Sequence, residues 1–135
     1  MTQAIPRTVV NPILQHALSQ PEQEVCGLVG RRDAQFTVYP VRNVAKPPQA
    51  LFAMDPQQQI EAMRRMRERG ENLFAIYHSH PRAPATPSAL DVEQAAYPEA
   101  LYLIISLDTE GVLDMRAHRL HGGRLQPVEL EMVND

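Results

Sequence analysis

Several things are scarce in this chain, and each scarcity excludes something. There is a single cysteine, Cys26, so no internal disulfide framework is available and a reducing, cytoplasmic setting is expected. No stretch of eighteen apolar residues occurs, and the opening MTQAIPRTVV has no charged segment leading into an apolar run. Neither a membrane span nor a secretory signal is therefore expected. An excess of either charge is also missing: 13 Lys and Arg stand against 16 Asp and Glu, a formal net charge of -3. The basic residues are scattered, which argues against a nucleic-acid face or a polybasic membrane patch. Repeats and low-complexity tracts are absent too, and the 12 prolines fall between elements rather than forming a linker. At 135 residues the chain is expected to be one domain over 1–135, large enough to bury a sizeable core.

What is present alternates between helical and extended signals. A short strand is expected at Thr8 to Val10, followed by a helix in which Asn11 is the cap and Pro12 the first helical residue. Ile13, Leu14, Ala17 and Leu18 would form its apolar face. Val25 to Gly30 reads as a buried strand, Arg31 to Asp33 as a turn, and Gln35 to Val41 as the second arm of a hairpin. Asn43 to Met54 reads as a loop with a strand fragment at Leu51 to Ala53. Asp55-Pro56 opens a second helix that Ile60, Met63, and Met66 or Arg67 continue and Gly70 closes, with Met63 and Met66 as core filler.

Leu73 to Tyr77 is expected to be a central strand. A proline-stiffened loop from Arg82 to Pro87 then leads into a short helix from Ser88 to about Ala96. Leu101 to Leu107 is the clearest strand signal in the chain; Val112 to Leu120 returns, and Leu125 to Val133 would finish as an edge strand. Helices interspersed with one mixed sheet mean an α+β, or mixed α/β, fold.

The chemistry concentrates in Tyr77-His78-Ser79-His80-Pro81 with Ser88 and Asp91 downstream: H-x-H-P, six residues, then S-x-x-D. In a strand, residues two apart point the same way, so His78 and His80 can share one metal ion. Asp91, in the first turn of the helix after Ser88, is within reach as a third ligand. Two imidazoles and a carboxylate suit zinc, and three protein ligands leave a fourth position for a catalytic water whose pKa the metal lowers to about 7. Such a site needs a proton shuttle, for which Glu24, Glu93 and Glu99 are candidates, and an oxyanion donor, for which Ser88 is one.

The bland alternatives have weight. Singly, each histidine would pass for an ordinary strand residue, although the full motif should arise by accident only on the order of once in several thousand sequences. S-x-x-D before a helix is also a capping box; Ser88 can serve both readings, but Asp91 is not expected to bond the cap amide and ligate zinc at once. Cys26 reads as packing and not as a nucleophile. His16, His118 and His121 are expected to face solvent.

E-x-C-G-L-V-G from Glu24 to Gly30, H-S-H-P from His78 to Pro81 and S-x-x-D from Ser88 to Asp91 together resemble the JAMM, or MPN-plus, metalloprotease family. The likeness is strongest to small stand-alone bacterial members, and it extends through Ala96-Tyr97-Pro98 and Leu103 to Ser106. It implies a cytidine-deaminase-like sheet flanked by helices. It also implies zinc held by His78, His80 and Asp91, with Glu24 as general acid/base and Ser88 assisting the tetrahedral intermediate. The implied substrates are amide bonds after the Gly-Gly tail of ubiquitin-like or sulfur-carrier proteins, in the nearest relatives with release of cysteine. Members specific for ubiquitin chains carry extra inserted segments for which this chain has no room.

Two other function classes compete. A non-catalytic MPN scaffold would typically lack the ligands that are present here. A zinc hydrolase of small molecules, such as a nucleoside deaminase, would call for H-x-E and P-C-x-x-C, which are missing, as is the H-E-x-x-H of thermolysin-like proteases.

Overall fold

The computed structural model describes residues 2–111 and 113–134. Its elements run β1 (Thr2–Pro6), α1 (Arg7–Ser19), β2 (Cys26–Arg32), β3 (Gln35–Val41), α2 (Pro56–Glu68), β4 (Asn72–His80), α3 (Ala89–Gln94), β5 (Leu101–Ser106), β6 (Asp114–His121) and β7 (Arg124–Val133). All seven strands join in one sheet of order β1-β7-β6-β5-β4-β2-β3. β1 runs parallel to β7 and β4 parallel to β5, and the other neighbours are antiparallel. This is the mixed sheet with flanking helices expected of an α+β chain. No described helix is long and apolar enough to cross a membrane.

The start of the chain differs from expectation. Thr8 to Val10 are helical, and the true first strand is Thr2–Pro6. The helix begins at Arg7 with Pro6 as its cap residue, so Asn11 is not a cap and Pro12 sits inside the helix. An interior proline costs about 3 kcal/mol. Val9, Val10, Ile13 and Ala17 are buried on that helix, and a fully buried Val or Ile gains about 1.5–3 kcal/mol. Tertiary burial therefore outweighs the proline. Leu18, expected on the apolar face, is 56 % exposed.

The further differences are smaller. Leu51 to Ala53 form no strand, and only an isolated bridge joins Asn43 to Met54. β7 is not an edge, because β1 covers it; the edges are β1 and β3. β6 starts at Asp114, and Val112, the expected first residue of that strand, lies outside the described residues. The β2–β3 turn falls on Asp33 and Ala34, with Asp33 at φ 54.

The sheet has a core on each face. Val9, Val10, Ile13 and Ala17 of α1 pack with Val25, Val29, Ala75, Tyr77, Leu101, Leu103 and Ile105 on one side. Ala62 and Met66 of α2 pack with Leu28, Tyr39, Val41, Ile76, Ala100 and Tyr102 on the other, with Met63 partly buried beside them. Strand alternation makes this possible, since neighbouring positions of a strand serve opposite faces.

Gly27 shows how tightly the first face is fitted. It pairs with Tyr77 across β2 and β4, and a Cβ there would lie 2.5 Å from Cζ and from the hydroxyl of Tyr77. With no side chain in the way, the Tyr77 hydroxyl reaches Nδ1 of His16 at 2.7 Å. We expect Gly27→Ala to lower stability by about 1–3 kcal/mol through this overlap. Urea unfolding monitored by circular dichroism is the measurement, and an unchanged midpoint would contradict the packing described.

Candidate metal centre

β4 extends through both histidines, further than the Leu73 to Tyr77 expected, so the ring positions are fixed by the sheet itself. His78 and His80 project from one face and are 2 % and 4 % exposed. Tyr77 and Ser79 face the other way. β4 ends where β5 is paired alongside it in parallel, His78 opposite Ile104 and His80 opposite Ser106. The loop 81–88 then returns the chain to α3.

Ser88 caps α3. Its Oγ accepts the Asp91 N–H at 3.1 Å, and Asp91 Oδ2 accepts the Ser88 N–H at 2.9 Å. The same Oδ2 lies 3.2 Å from His78 Nε2 and 3.2 Å from His80 Nε2, and the two Nε2 atoms are 3.1 Å apart. Asp91 Oδ2 thus takes the cap amide and still faces both imidazoles. A carboxylate oxygen carries two lone pairs, so one can take the cap amide while the other faces the imidazoles.

Three donor atoms at 3.1–3.2 Å from one another fit a small cation. Ligands about 2.0–2.1 Å from a tetrahedral zinc are separated by about 3.3 Å. The His80 tautomer suits it as well. His80 Nδ1 lies 2.8 Å from the Pro84 carbonyl oxygen, an acceptor that keeps the proton on Nδ1 and leaves the Nε2 lone pair facing the triangle. Phe52 stacks on the other imidazole, its ring 4.3 Å from that of His78 at 22°.

Electrostatics agree with the geometry. Burial opposes ionisation of Asp91, but the contacts with His78 and His80 and the Ser88 N–H outweigh it and hold the carboxyl well below the usual carboxylate range. Burial pushes His78 down. Burial also opposes charge on His80, but Asp91, the Pro84 carbonyl and Glu24 outweigh it and push that imidazole up.

Glu24 arrives from a different part of the chain. It precedes β2, and the antiparallel pairing that sets Cys26 opposite His78 brings it to the histidines. Ser79 fastens this junction from behind: its Oγ accepts the Val25 N–H at 2.9 Å, and its own N–H donates to the Val25 carbonyl at 3.0 Å. A carboxylate oxygen of Glu24 and nitrogens of His78 and His80 all lie within 4.8 Å of one another. Glu24 is 6 % exposed, and burial, tempered by His80 and reinforced by Asp91, pushes its carboxyl up to about 7. Glu93 and Glu99, the other shuttle candidates, are exposed and belong to no such group.

A model of the prokaryotic homologues of the JAB domain matches residues 6–120. The chain belongs to the prokaryotic JAB family. This JAB chain is 34 % identical over 125 residues to a desampylase of Haloferax volcanii, covering 87 % of each chain. It is 34 % identical over 105 residues to a probable TtuB-protein conjugate cleaving protease of Thermus thermophilus, covering 77 % of this chain and 70 % of that one. Identity to a CysO-cysteine peptidase of Mycobacterium tuberculosis is 28 % over 128 residues, 93 % and 87 % of the two chains. A solution structure of a Desulfitobacterium hafniense protein superposes with a TM-score of 0.85 at 31 % identity, over all of this chain and 94 % of the other.

The remaining histidines and the cysteine separate from the site. His121 of this JAB chain is exposed as expected. His118 is not: it is buried, with Nδ1 3.4 Å from the Tyr102 carbonyl oxygen. His16 is half-buried against Tyr77. Both were expected at the surface because a polar residue beside a turn or on a helix gives no sign of what packs over it.

Ser79, Asn43 and Phe52 went unassigned in the sequence. Only Ser79 offered a signal, as the residue between two ligand-type histidines on the opposite face of the strand.

Cys26 is fully buried, with Sγ 3.4 Å from the Val41 carbonyl oxygen. Burial, with a further contribution from Glu24, pushes its thiol up to about 12. The thiolate is the reactive form, so at pH 8 the folded protein should react with a thiol reagent on the order of 1,000-fold more slowly than the unfolded chain. Ellman's reagent with and without guanidinium measures this, and comparable rates would refute an inert, packed Cys26.

Proposed function

We propose that this protein is a zinc metallopeptidase that hydrolyses the amide bond following the C-terminal Gly-Gly tail of a ubiquitin-like or sulfur-carrier protein. The observation that carries the reading is the His78, His80 and Asp91 triangle with a buried carboxylate, Glu24, beside it. In this reading one zinc ion per chain is held by His78 Nε2, His80 Nε2 and Asp91 Oδ2. When bound it supplies Lewis acidity and a hydroxide nucleophile at neutral pH.

The chain's own groups do the rest. Glu24, with its carboxyl pushed up to about 7, takes a proton near neutrality and returns it to the leaving amine, as a general acid/base must. Ser88 Oγ accepts from the Asp91 amide, which leaves its own O–H free to donate to charge developing on the scissile carbonyl oxygen. The Pro84 carbonyl and Phe52 hold the two imidazoles in orientation.

The substrate class is supported by the relatives. One is named for cleaving TtuB-protein conjugates and one as a peptidase of CysO-cysteine, and cleavage after the tail of a carrier is the reading proposed from them. Release of cysteine and release of a protein amine are the two outcomes on the leaving side. A reducing, cytoplasmic location fits a single buried thiol.

Three outcomes test this. Protein purified without added metal should carry close to one zinc per chain by elemental analysis, and chelation should abolish activity. Glu24→Gln should keep the zinc and lose about 100- to 10,000-fold in turnover, whereas His80→Ala should lose both. Incubation with candidate Gly-Gly-tailed carriers bearing C-terminal extensions, read by intact mass, should show a product ending at the second glycine. A zinc-free protein with chelator-insensitive cleavage, or Glu24→Gln turning over at the parent rate, would refute the assignment.

A further inference from the structure

Glu24 lies outside any strand, yet both of its main-chain polar groups are fastened by the segment 43–54. Its N–H donates to the Pro48 carbonyl at 2.8 Å, and its carbonyl accepts from Asn43 Nδ2 at 2.9 Å. The same Nδ2 donates to the Leu51 carbonyl at 2.9 Å and lies 3.5 Å from the Pro48 carbonyl. Asn43 Oδ1 accepts the N–H of Ala45 at 2.9 Å and of Ala53 at 3.0 Å. A primary amide has two donors and two acceptor lone pairs, and Asn43 uses all four within the loop and on Glu24.

The loop has a second anchor. Leu51 and Ala53, both bonded by Asn43, flank Phe52, and the Phe52 ring stacks on His78. The loop is therefore seated on one imidazole of the triangle at one point and on the Glu24 backbone at another, and the Asn43 amide joins the two points.

We propose that Asn43 is a positioning residue: through its side-chain amide it references the Glu24 carboxylate to His78 by way of the loop that carries Phe52. Its side-chain hydrogen bonds go to the loop and to the Glu24 carbonyl, not to His78, His80 or Asp91, so it acts through Glu24. Its kinetic consequence rests on the peptidase reading above, but its structural consequence does not. A displacement on the order of 1 Å of a catalytic group can cost about 100-fold, and residues that orient such groups from behind cost about 10- to 100-fold when lost.

Asn43→Ala removes all four bonds. Asn43→Asp keeps the acceptors for Ala45 and Ala53 and removes the donors to Glu24 and Leu51, so it remains informative if the alanine variant does not fold. In the intact zinc-loaded protein acting on a carrier conjugate, both variants should keep their zinc and hold KM within about threefold, while kcat falls about 10- to 100-fold. Placed on Glu24→Gln, neither should lower the residual rate further by as much as twofold. A general loss of packing would lower it in both backgrounds.

Hydrogen exchange supplies a readout independent of activity. The Ala45 and Ala53 amides should exchange faster in Asn43→Ala and remain protected in Asn43→Asp. Parental kcat in either variant, an equal fractional loss on Glu24→Gln, or loss of zinc would overturn the assignment, as would unchanged exchange at Ala45 and Ala53 in Asn43→Ala. Absence of cleavage by the parent protein, with exchange behaving as expected, would instead overturn the peptidase reading and leave the clamp standing.

Discussion

The antiparallel ladder between β2 and β4 is the constraint on which the site depends. It sets Cys26 opposite His78 and thereby delivers Glu24 to histidines more than fifty residues away in sequence. Register is not negotiable here, because a slip of one residue turns every side chain of a strand to the opposite face. Several contacts pin it on the face away from the imidazoles: Ser79 bonds the Val25 amide, and the Tyr77 ring lies over the bare backbone of Gly27. The alternation of β4 divides the labour, with Tyr77 and Ser79 anchoring the ladder while His78 and His80 face Asp91.

Legibility in the sequence followed the range of the interactions. The pair His78 and His80 could be read directly, since strand geometry alone places residues i and i+2 on one face. Asp91 was legible through the capping signature of Ser88, although its double role was not; that needs the second lone pair of Oδ2, which spacing does not reveal. Glu24 was one of three shuttle candidates, and no local signal chose among them. Resemblance to a family singled it out, and the β2–β4 pairing is what brings it beside the histidines.

The misreadings share a cause. Pro12 looks like a helix start because local propensity places it at the first turn, but burial of Val9, Val10 and Ile13 begins the helix at Arg7. His118 looks like a surface residue beside a turn, but lies in the middle of β6 opposite Tyr102, where the sheet is covered. Leu125 to Val133 looks terminal because it is last in sequence, while β1 returns to pair with it. In each case a contact distant in sequence overrides a local preference, which is how tertiary context acts on weak propensities.

The two carboxylates of the site illustrate how environment separates like groups. Asp91 and Glu24 are both largely removed from water, and desolvation alone would raise both. Asp91 receives an N–H from Ser88 and lies against two imidazoles, so its ionised form is the favoured one. Glu24 has His80 as its favourable neighbour and Asp91 as an unfavourable one, and burial prevails. A pair of titratable groups driven apart in this way is what the proposed ligand role of Asp91 and the proposed proton-transfer role of Glu24 require. The division follows from chain connectivity: Asp91 sits in the first turn of a helix, where amides point at it, whereas Glu24 lies just ahead of β2 with its own amide and carbonyl committed to the 43–54 loop.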